Sequence, residues 1–219
     1  MKCRRIAAGV LAVLLVTAMK VQSSAAQCGY HQPYLTGYPD GSIRPEAEVT
    51  REELAQILLR LMEKEPKQMQ TESRFCDVSE DRWSYSAISA LAGLSVMPGD
   101  ITGKYGPKKT VSGMALTVIL DRIAYTGAAD CYPTLAEQWS VQRENVAEKL
   151  MQMETVQRAE IAALLNLLLG RKTESDCQMG SAEFSDNADA AKWFYADIRE
   201  AATPHSWEKK AAEVWTAVG

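Results

Sequence analysis

The chain has 219 residues, of which 47% are hydrophobic and 24% charged, as is ordinary for a folded globular protein. Its formal net charge is −4 and it contains no block of basic residues, which argues against nucleic acid as a partner. An anionic ligand would have to be held by a few local arginines, because the overall field repels it.

The first 26 residues are predicted to be a signal peptide. Three basic residues among the first five precede an apolar run at residues 6–19 that is too short for a comfortable membrane span. Ser24 and Ala26 supply the small residues of a cleavage site before Gln27. We therefore expect a secreted protein that keeps no transmembrane segment after cleavage.

Four cysteines lie beyond the cleavage site, and in an exported chain an even number favours disulfides. Four cysteines allow three pairings, of which we predict Cys28–Cys177 and Cys76–Cys131. Their spacing matches neither a CxxC motif nor a zinc site. The two histidines, His31 and His205, lie near no cysteine or acidic pattern, so the sequence predicts no metal site and no cofactor.

Two kinds of half-repeat alternate along the chain. The turn half-repeat is a glycine-rich turn, a short extended stretch and an amphipathic helix, and it is clearest at Gly37 to Leu61, GYPDGSIRPEAEVTREELAQILLRL. Thr50 and Glu53 form a T-x-x-E capping box that predicts where its helix begins. Apolar residues then recur at helical spacing on one face. The tryptophan half-repeat follows at Phe75 to Leu91, FCDVSEDRWSYSAISAL.

The remaining half-repeats depart from these two patterns in specific ways. A second turn half-repeat at residues 105–123 has Gly113 where the first has Arg51. A weak tryptophan half-repeat contains Trp139, and a third turn half-repeat keeps Arg158 but lacks the glycine-rich turn. The last tryptophan half-repeat reads FSDNADAAKWFYADIREA from Phe184.

The order of the half-repeats predicts a closed arrangement. Internal repeats indicate stacked supersecondary units, each of which needs a neighbour to bury its apolar face. A chain that starts on a turn half-repeat and ends on a tryptophan half-repeat can close by pairing the first with the last. We therefore predict an all-α fold, a pseudo-three-fold helical bundle, and we expect the tryptophan rings to be at least half buried.

These motifs resemble the S-layer homology (SLH) family. TREE at residues 50–53 and QRAE at residues 157–160 are similar to its TRAE signature, and the tail from Ala201, AATPHSWEKKAAEVW, is similar to the ending of many Firmicute members. After the signal peptide at 1–26, the resemblance implies a three-repeat module at 27–207 and a tail at 208–219. The repeats would span about 34–74, 75–130 and 131–207.

The resemblance also implies a function. Such modules hold exported proteins at the Gram-positive cell surface by binding a secondary cell-wall polymer on peptidoglycan, often one with pyruvylated amino sugars, in grooves between repeats. Carried over, the best groove combines Arg51, Asp40 and Gly41 with either Asp186 and Trp193 or Asp77 and Trp83. A further groove would use Arg158. An arginine at the first turn of a helix suits a carboxylate, because free N–H groups and the helix dipole favour an anion.

Other interpretations of the same residues stay open. Asp77 and Asp186 could cap helices or hold loops, and P-D-G at residues 39–41 is a turn signal in itself. No nucleophile–base pair or phosphate loop is visible, so we predict that the protein is not an enzyme. The alternative function is a degenerate SLH module that serves as a secreted protein–protein interaction domain for other surface proteins.

Overall fold

The computed structural model describes residues 27–66, 75–171, 184–209 and 213–218. Within these residues the chain is mostly helical, which confirms the predicted fold class. The predicted signal peptide at 1–26 lies outside the described residues. The elements in chain order are strand β1 (Gln27–His31), helices α1 (Arg51–Arg60), α2 (Tyr85–Gly93) and α3 (Gly113–Tyr125), a 3-10 helix (Gly127–Asp130), helices α4 (Pro133–Met151), α5 (Arg158–Leu169) and α6 (Tyr195–Ala202), and strands β2 (His205–Lys209) and β3 (Glu213–Val218).

The helices of the turn half-repeats begin where their capping residues predict. The Glu53 carboxylate accepts the Thr50 backbone N–H at 2.9 Å, while the Thr50 side chain accepts the Glu53 N–H. At the start of α5 the Glu160 carboxylate likewise accepts the Gln157 N–H, at 2.7 Å, and Ser112 caps α3. Each cap satisfies donors that a helix start leaves without an intrahelical acceptor.

The helices pack in neighbouring pairs around one core. Helix α1 packs on α2, α3 on α4, and α5 on both α4 and α6. Trp139, in the middle of α4, is fully buried, and its indole N–H donates to Asp121 at 2.8 Å. The weak tryptophan half-repeat has therefore become a 19-residue core helix.

A ring of three hydrogen bonds joins the three turn half-repeats at the centre. The N–H of Val49 donates to the carbonyl of Val156, that of Val156 to Val111, and that of Val111 to Val49, each at 2.9 Å. All three valines are essentially buried, and each precedes the capping residue of its helix. Buried backbone groups must be paired, so this ring fixes the three extended stretches to one another and creates the pseudo-three-fold axis.

The last tryptophan half-repeat completes the first turn half-repeat. The Asp186 carboxylate accepts the N–H groups of Ile43 and Arg44, both at 2.8 Å. Asp77 holds the corresponding N–H groups of Tyr105 and Gly106 in the second repeat, also at 2.8 Å. The predicted closure is thus made at the turn before α1, while helix α6 itself packs on α5.

A three-stranded antiparallel sheet with order β1-β2-β3 joins the two ends of the described chain and was not predicted. In its register Gln27 faces Lys209 and His31 faces His205. Strand β2 crosses the predicted boundary between module and tail at residues 207 and 208. Among the described residues, no helix has the length and hydropathy needed to cross a membrane.

The predicted Cys76–Cys131 disulfide is wrong. Both thiols are free, with Cys76 exposed and Cys131 buried. The backbone of Cys76 bonds to Gly103, whereas the carbonyl of Cys131 accepts the N–H of Glu63, so different segments hold the two cysteines. Cys177 lies outside the described residues, and with it the predicted bridge to Cys28.

Candidate functional site: grooves between the repeats

The groove beside the first glycine-rich turn combines side chains from three half-repeats. It encloses about 470 Å³. We call it groove 1, and its lining is Leu35, Thr36, Gly37, Tyr38, Pro39, Glu53, Gln56, Ile57, Arg60, Trp83 and Arg158. The turn contributes the floor, helix α1 one wall, and Trp83, two residues before α2, an exposed indole. The arginine comes from the start of α5.

Arg158 is held at the base of groove 1 by a nearly complete set of acceptors. Its Nε donates to the Ile43 carbonyl at 2.8 Å and its Nη2 to the Thr36 carbonyl at 2.8 Å. Its Nη1 lies 3.4 Å from a Glu53 oxygen, and the guanidinium lies 5.0 Å from the centre of the Tyr38 ring. Because Arg158 is only 3% exposed, it positions the turn and supplies positive potential from beneath the surface.

Glu53 links the helix cap to the groove. One carboxylate oxygen accepts the Tyr38 hydroxyl at 2.5 Å, and the other accepts the Thr50 hydroxyl at 2.7 Å. Burial alone would raise the pKa of Glu53, but these hydrogen bonds and the charge of Arg158 outweigh it and hold the pKa below its ordinary value. Sequence reasoning saw Glu53 only as a capping residue, because its contact with Tyr38 depends on how the turn folds back over α1.

Trp83 and Trp193 are exposed, contrary to the expectation that their rings would be half buried. Trp83 is 60% and Trp193 61% exposed, and of the three half-repeat tryptophans Trp139 alone behaves as a core residue. Trp83 lines groove 1, whereas the Trp193 ring contacts its neighbour Phe194 edge-on at 5.4 Å between centroids. Each exposed ring lies two residues before a short helix that begins without a side-chain cap.

Arg51 occupies the position in the second repeat that Arg158 occupies in the first. Its Nε donates to the Tyr105 carbonyl at 2.9 Å and its Nη2 to the Pro98 carbonyl at 3.1 Å. The Tyr105 ring lies 4.5 Å below the guanidinium. The predicted grouping of Arg51 with Asp40 and Gly41 is therefore wrong, because Arg158 and not Arg51 lies against the first turn. The extended stretch that contains Val49 passes the central ring and carries Arg51 to the next repeat.

The predicted anion site at the start of α1 is also corrected. The N–H of Arg51 donates to the Lys109 carbonyl at 2.9 Å, and the N–H of Glu52 to the Pro107 carbonyl at 3.1 Å. The neighbouring repeat thus occupies both donors. Glu52 also forms a two-point ion pair with Arg82, 2.7 Å at each contact, which ties the tryptophan half-repeat at Phe75 to Leu91 to α1.

The predicted aspartates and the turn glycine shape the turns. Asp40 accepts the Ser42 hydroxyl at 2.6 Å and the Arg44 guanidinium at 2.7 Å. Gly41 has φ of +78°, which favours glycine. Asp77 and Asp186 each hold two backbone N–H groups of a turn, as described above. Burial would raise the pKa of Asp77, but its backbone hydrogen bonds lower it overall.

Gly113 stands where α3 would otherwise present an arginine to a third groove, and the structure supplies the reason. A Cβ atom on Gly113 would lie 1.7 Å from the Leu150 carbonyl oxygen. The N–H of Gly113 donates to Met153 at 3.0 Å, so the shortened third turn packs directly on the start of α3. Lys108 and Lys109 line a separate hollow of about 400 Å³ with Asp77, Arg82, Gly106 and Pro107.

Known proteins match this chain over the repeats. A family model described as "S-layer homology domain" matches residues 34–55 and 74–116. Over 208 residues, 82% of the chain, it is 25% identical to "Cell surface glycoprotein 1" of Acetivibrio thermocellus. Over 201 residues, again 82% of the chain, it is 25% identical to the "Cellulosome-anchoring protein" of the same organism. The match spans 9% of the first relative and 44% of the second, less than half of either. With the three-fold arrangement of turn and tryptophan half-repeats, these matches support the identification of the chain as an S-layer homology domain protein.

Proposed function

We propose that this protein attaches non-covalently to the bacterial cell wall by binding a secondary cell-wall polymer, and that groove 1 is its principal site. One observation carries the proposal: an exposed indole, Trp83, and a buried guanidinium, Arg158, share one groove with the glycine-rich turn. The ligand class follows from the family resemblance. The geometry supports the choice of groove.

The surfaces of groove 1 suit an anionic sugar. The exposed face of Trp83 can pack on the C–H face of a pyranose ring. Arg60 adds a second cation at the wall, where it contacts the Thr36 hydroxyl and lies 3.4 Å from the Tyr34 carbonyl. The acidic member, Glu53, already accepts three hydrogen bonds from Thr50 and Tyr38. Its charge is therefore largely compensated, and the potential over the groove favours a carboxylate such as pyruvate ketal.

The other two groove positions each lack one component. The second has Arg51, but Trp139, the tryptophan of the half-repeat that packs beside it, is fully buried. The third has the exposed Trp193 but Gly113 in place of an arginine and no glycine-rich turn. We infer that Arg51 marks a weaker secondary groove, and that Asp40, Gly41, Asp77 and Asp186 act by holding the turns in shape.

The test is a pull-down of the purified protein by cell-wall sacculi, before and after acid extraction of the secondary polymer. We expect binding that is lost on extraction and that free extracted polymer competes away. Tyr38→Phe removes one hydroxyl and keeps the ring, so it should weaken binding less than Trp83→Ala. Equal retention by extracted and intact sacculi would contradict the proposal. Capture of a surface protein with no polymer dependence would favour the alternative, a module that binds protein.

A further inference from the structure

Two histidines and a glutamate that are far apart in the sequence meet where the chain closes on itself. His31 lies at the end of β1, Glu200 in α6 and His205 at the start of β2. His31 Nδ1 and His205 Nε2 each lie 3.2 Å from the same oxygen, Oε1 of Glu200. Sequence reasoning predicted no metal site because neither histidine has a ligand nearby in the chain. These are the two histidines of the whole sequence, and closure brings both to one carboxylate.

We propose that His31, Glu200 and His205 bind one divalent transition-metal ion, with Zn²⁺ as the representative. Two imidazole nitrogens and one carboxylate oxygen are a ligand set that Zn²⁺ takes in proteins. The three ligand atoms all lie within 4.8 Å of one another. Ligand atoms at about 2.1 Å from a tetrahedral ion are about 3.4 Å apart, so the two 3.2 Å separations already fit. The two imidazole nitrogens, which lie within 4.8 Å of each other, would approach by up to about 1.4 Å.

The surroundings of the ligands support a metal. His205 Nδ1 lies 2.9 Å from the Thr203 carbonyl, and donation of the Nδ1 proton to that carbonyl leaves the lone pair on Nε2, which lies 3.2 Å from Oε1 of Glu200. A metal-binding histidine usually fixes its tautomer through such a bond to a carbonyl. The side chains of Glu200 and His205 are 1% and 0% exposed, and that of His31 is 15% exposed. A fourth ligand, such as water, would enter from the His31 side.

The role that follows is structural. An ion bound here would join β1, near the start of the described chain, to α6 and β2, near its end. Because the ligands are assembled only in the folded chain, the binding free energy adds to the stability of the closed form. This inference is independent of groove 1, so the two proposals can fail separately.

The experiment titrates metal-free protein with Zn²⁺ and follows the heat of binding and the thermal unfolding midpoint. We expect one Zn²⁺ per chain and a higher midpoint. His31→Gln keeps a polar group beside Glu200 and should weaken Zn²⁺ binding by about 100-fold or more, since loss even of an outer-shell partner costs about 10–100-fold. Cys76→Ser, which removes an exposed free thiol, is the matched control and should leave the affinity unchanged.

Two results would overturn the site. One is a wild-type midpoint that Zn²⁺ does not move, and the other is equal Zn²⁺ affinity in wild type and His31→Gln. X-ray absorption at the zinc edge gives an answer without any variant. Two imidazoles with oxygen ligands support the site, whereas sulfur ligands would assign the ion to the cysteines and contradict it.

Discussion

Gly113→Ala tests why the third groove position has no arginine. The added Cβ would lie 1.7 Å from the Leu150 carbonyl oxygen and 2.6 Å from its carbon, where ordinary contacts begin at 3.4 Å. The obstacle is backbone, so the end of α4 would have to shift by more than an ångström. That shift would also disturb the 3.0 Å hydrogen bond from the Gly113 N–H to Met153.

The expected cost can be worked from these contacts. Overpacking costs about 1–3 kcal/mol and the disturbed hydrogen bond about 1 kcal/mol, while alanine recovers up to about 1 kcal/mol of helix propensity. We expect a net loss of about 2 kcal/mol in the free energy of unfolding. For a domain of this size that lowers the thermal midpoint by about 4–8 °C.

The assay is thermal and urea unfolding, with Gly127→Ala as the matched control. A Cβ on Gly127 would meet no atom within 4 Å, so that change should stay within about 0.5 kcal/mol of wild type. Equal stability of the two variants would refute the reasoning, since it would mean that the shortened third turn does not press on the start of α3.

Three further predictions concern the turns, the acid stability and the thiols. Asp186→Ala removes the acceptor of two N–H groups at the first turn and should cost about 1–2 kcal/mol in urea unfolding, the low end for a charged acceptor because Asp186 is exposed. Glu53 has a folded pKa below its ordinary 4.5, so its contribution to stability is present above that pH and is lost as the pH falls through the folded pKa. Glu53→Gln should therefore flatten the acid side of the stability–pH curve. Iodoacetamide should label Cys76 in the native protein without a reductant, and Cys131 only after unfolding.

Each of these predictions has a result that would contradict it. Asp186→Ala with wild-type stability would mean that the last half-repeat does not hold the first turn. If the acid side of the stability–pH curve were equally steep in Glu53→Gln and wild type, the Glu53 carboxylate would not contribute to the acid dependence of stability. If Cys76 in the native protein reacted only after reduction, it would be in a disulfide and not free.

Local features of the fold were predictable from sequence, because they depend on contacts a few residues apart. The capping box of Thr50 and Glu53 placed the start of α1, and the spacing of apolar residues placed its buried face. Gly113 was also visible in the sequence as a missing arginine. The order of half-repeats was enough to predict the closure, since it left the first turn without its tryptophan half-repeat.

The pairing of arginines with turns was not predictable in the same way. Asp40 and Arg51 lie in the same half-repeat. The extended stretch between them passes the ring of Val49, Val111 and Val156, however, and this path places Arg51 against the next repeat. Arg158, from the third turn half-repeat, contacts the first turn instead. The sheet and the histidine cluster could not be predicted for the same reason, because both form only when the two ends of the described chain come together. No local periodicity reports such long-range pairing.

The most direct test compares Trp83→Ala with Trp193→Ala in binding to intact sacculi. The two rings are almost equally exposed, at 60% and 61%, and each lies two residues before a short helix, so both changes should be similarly mild for folding. Only Trp83 shares its groove with an arginine and a glycine-rich turn. The account predicts at least a tenfold loss of affinity, about 1.4 kcal/mol, for Trp83→Ala and near wild-type binding for Trp193→Ala. Equal losses, or a loss confined to Trp193→Ala, would contradict the assignment of groove 1.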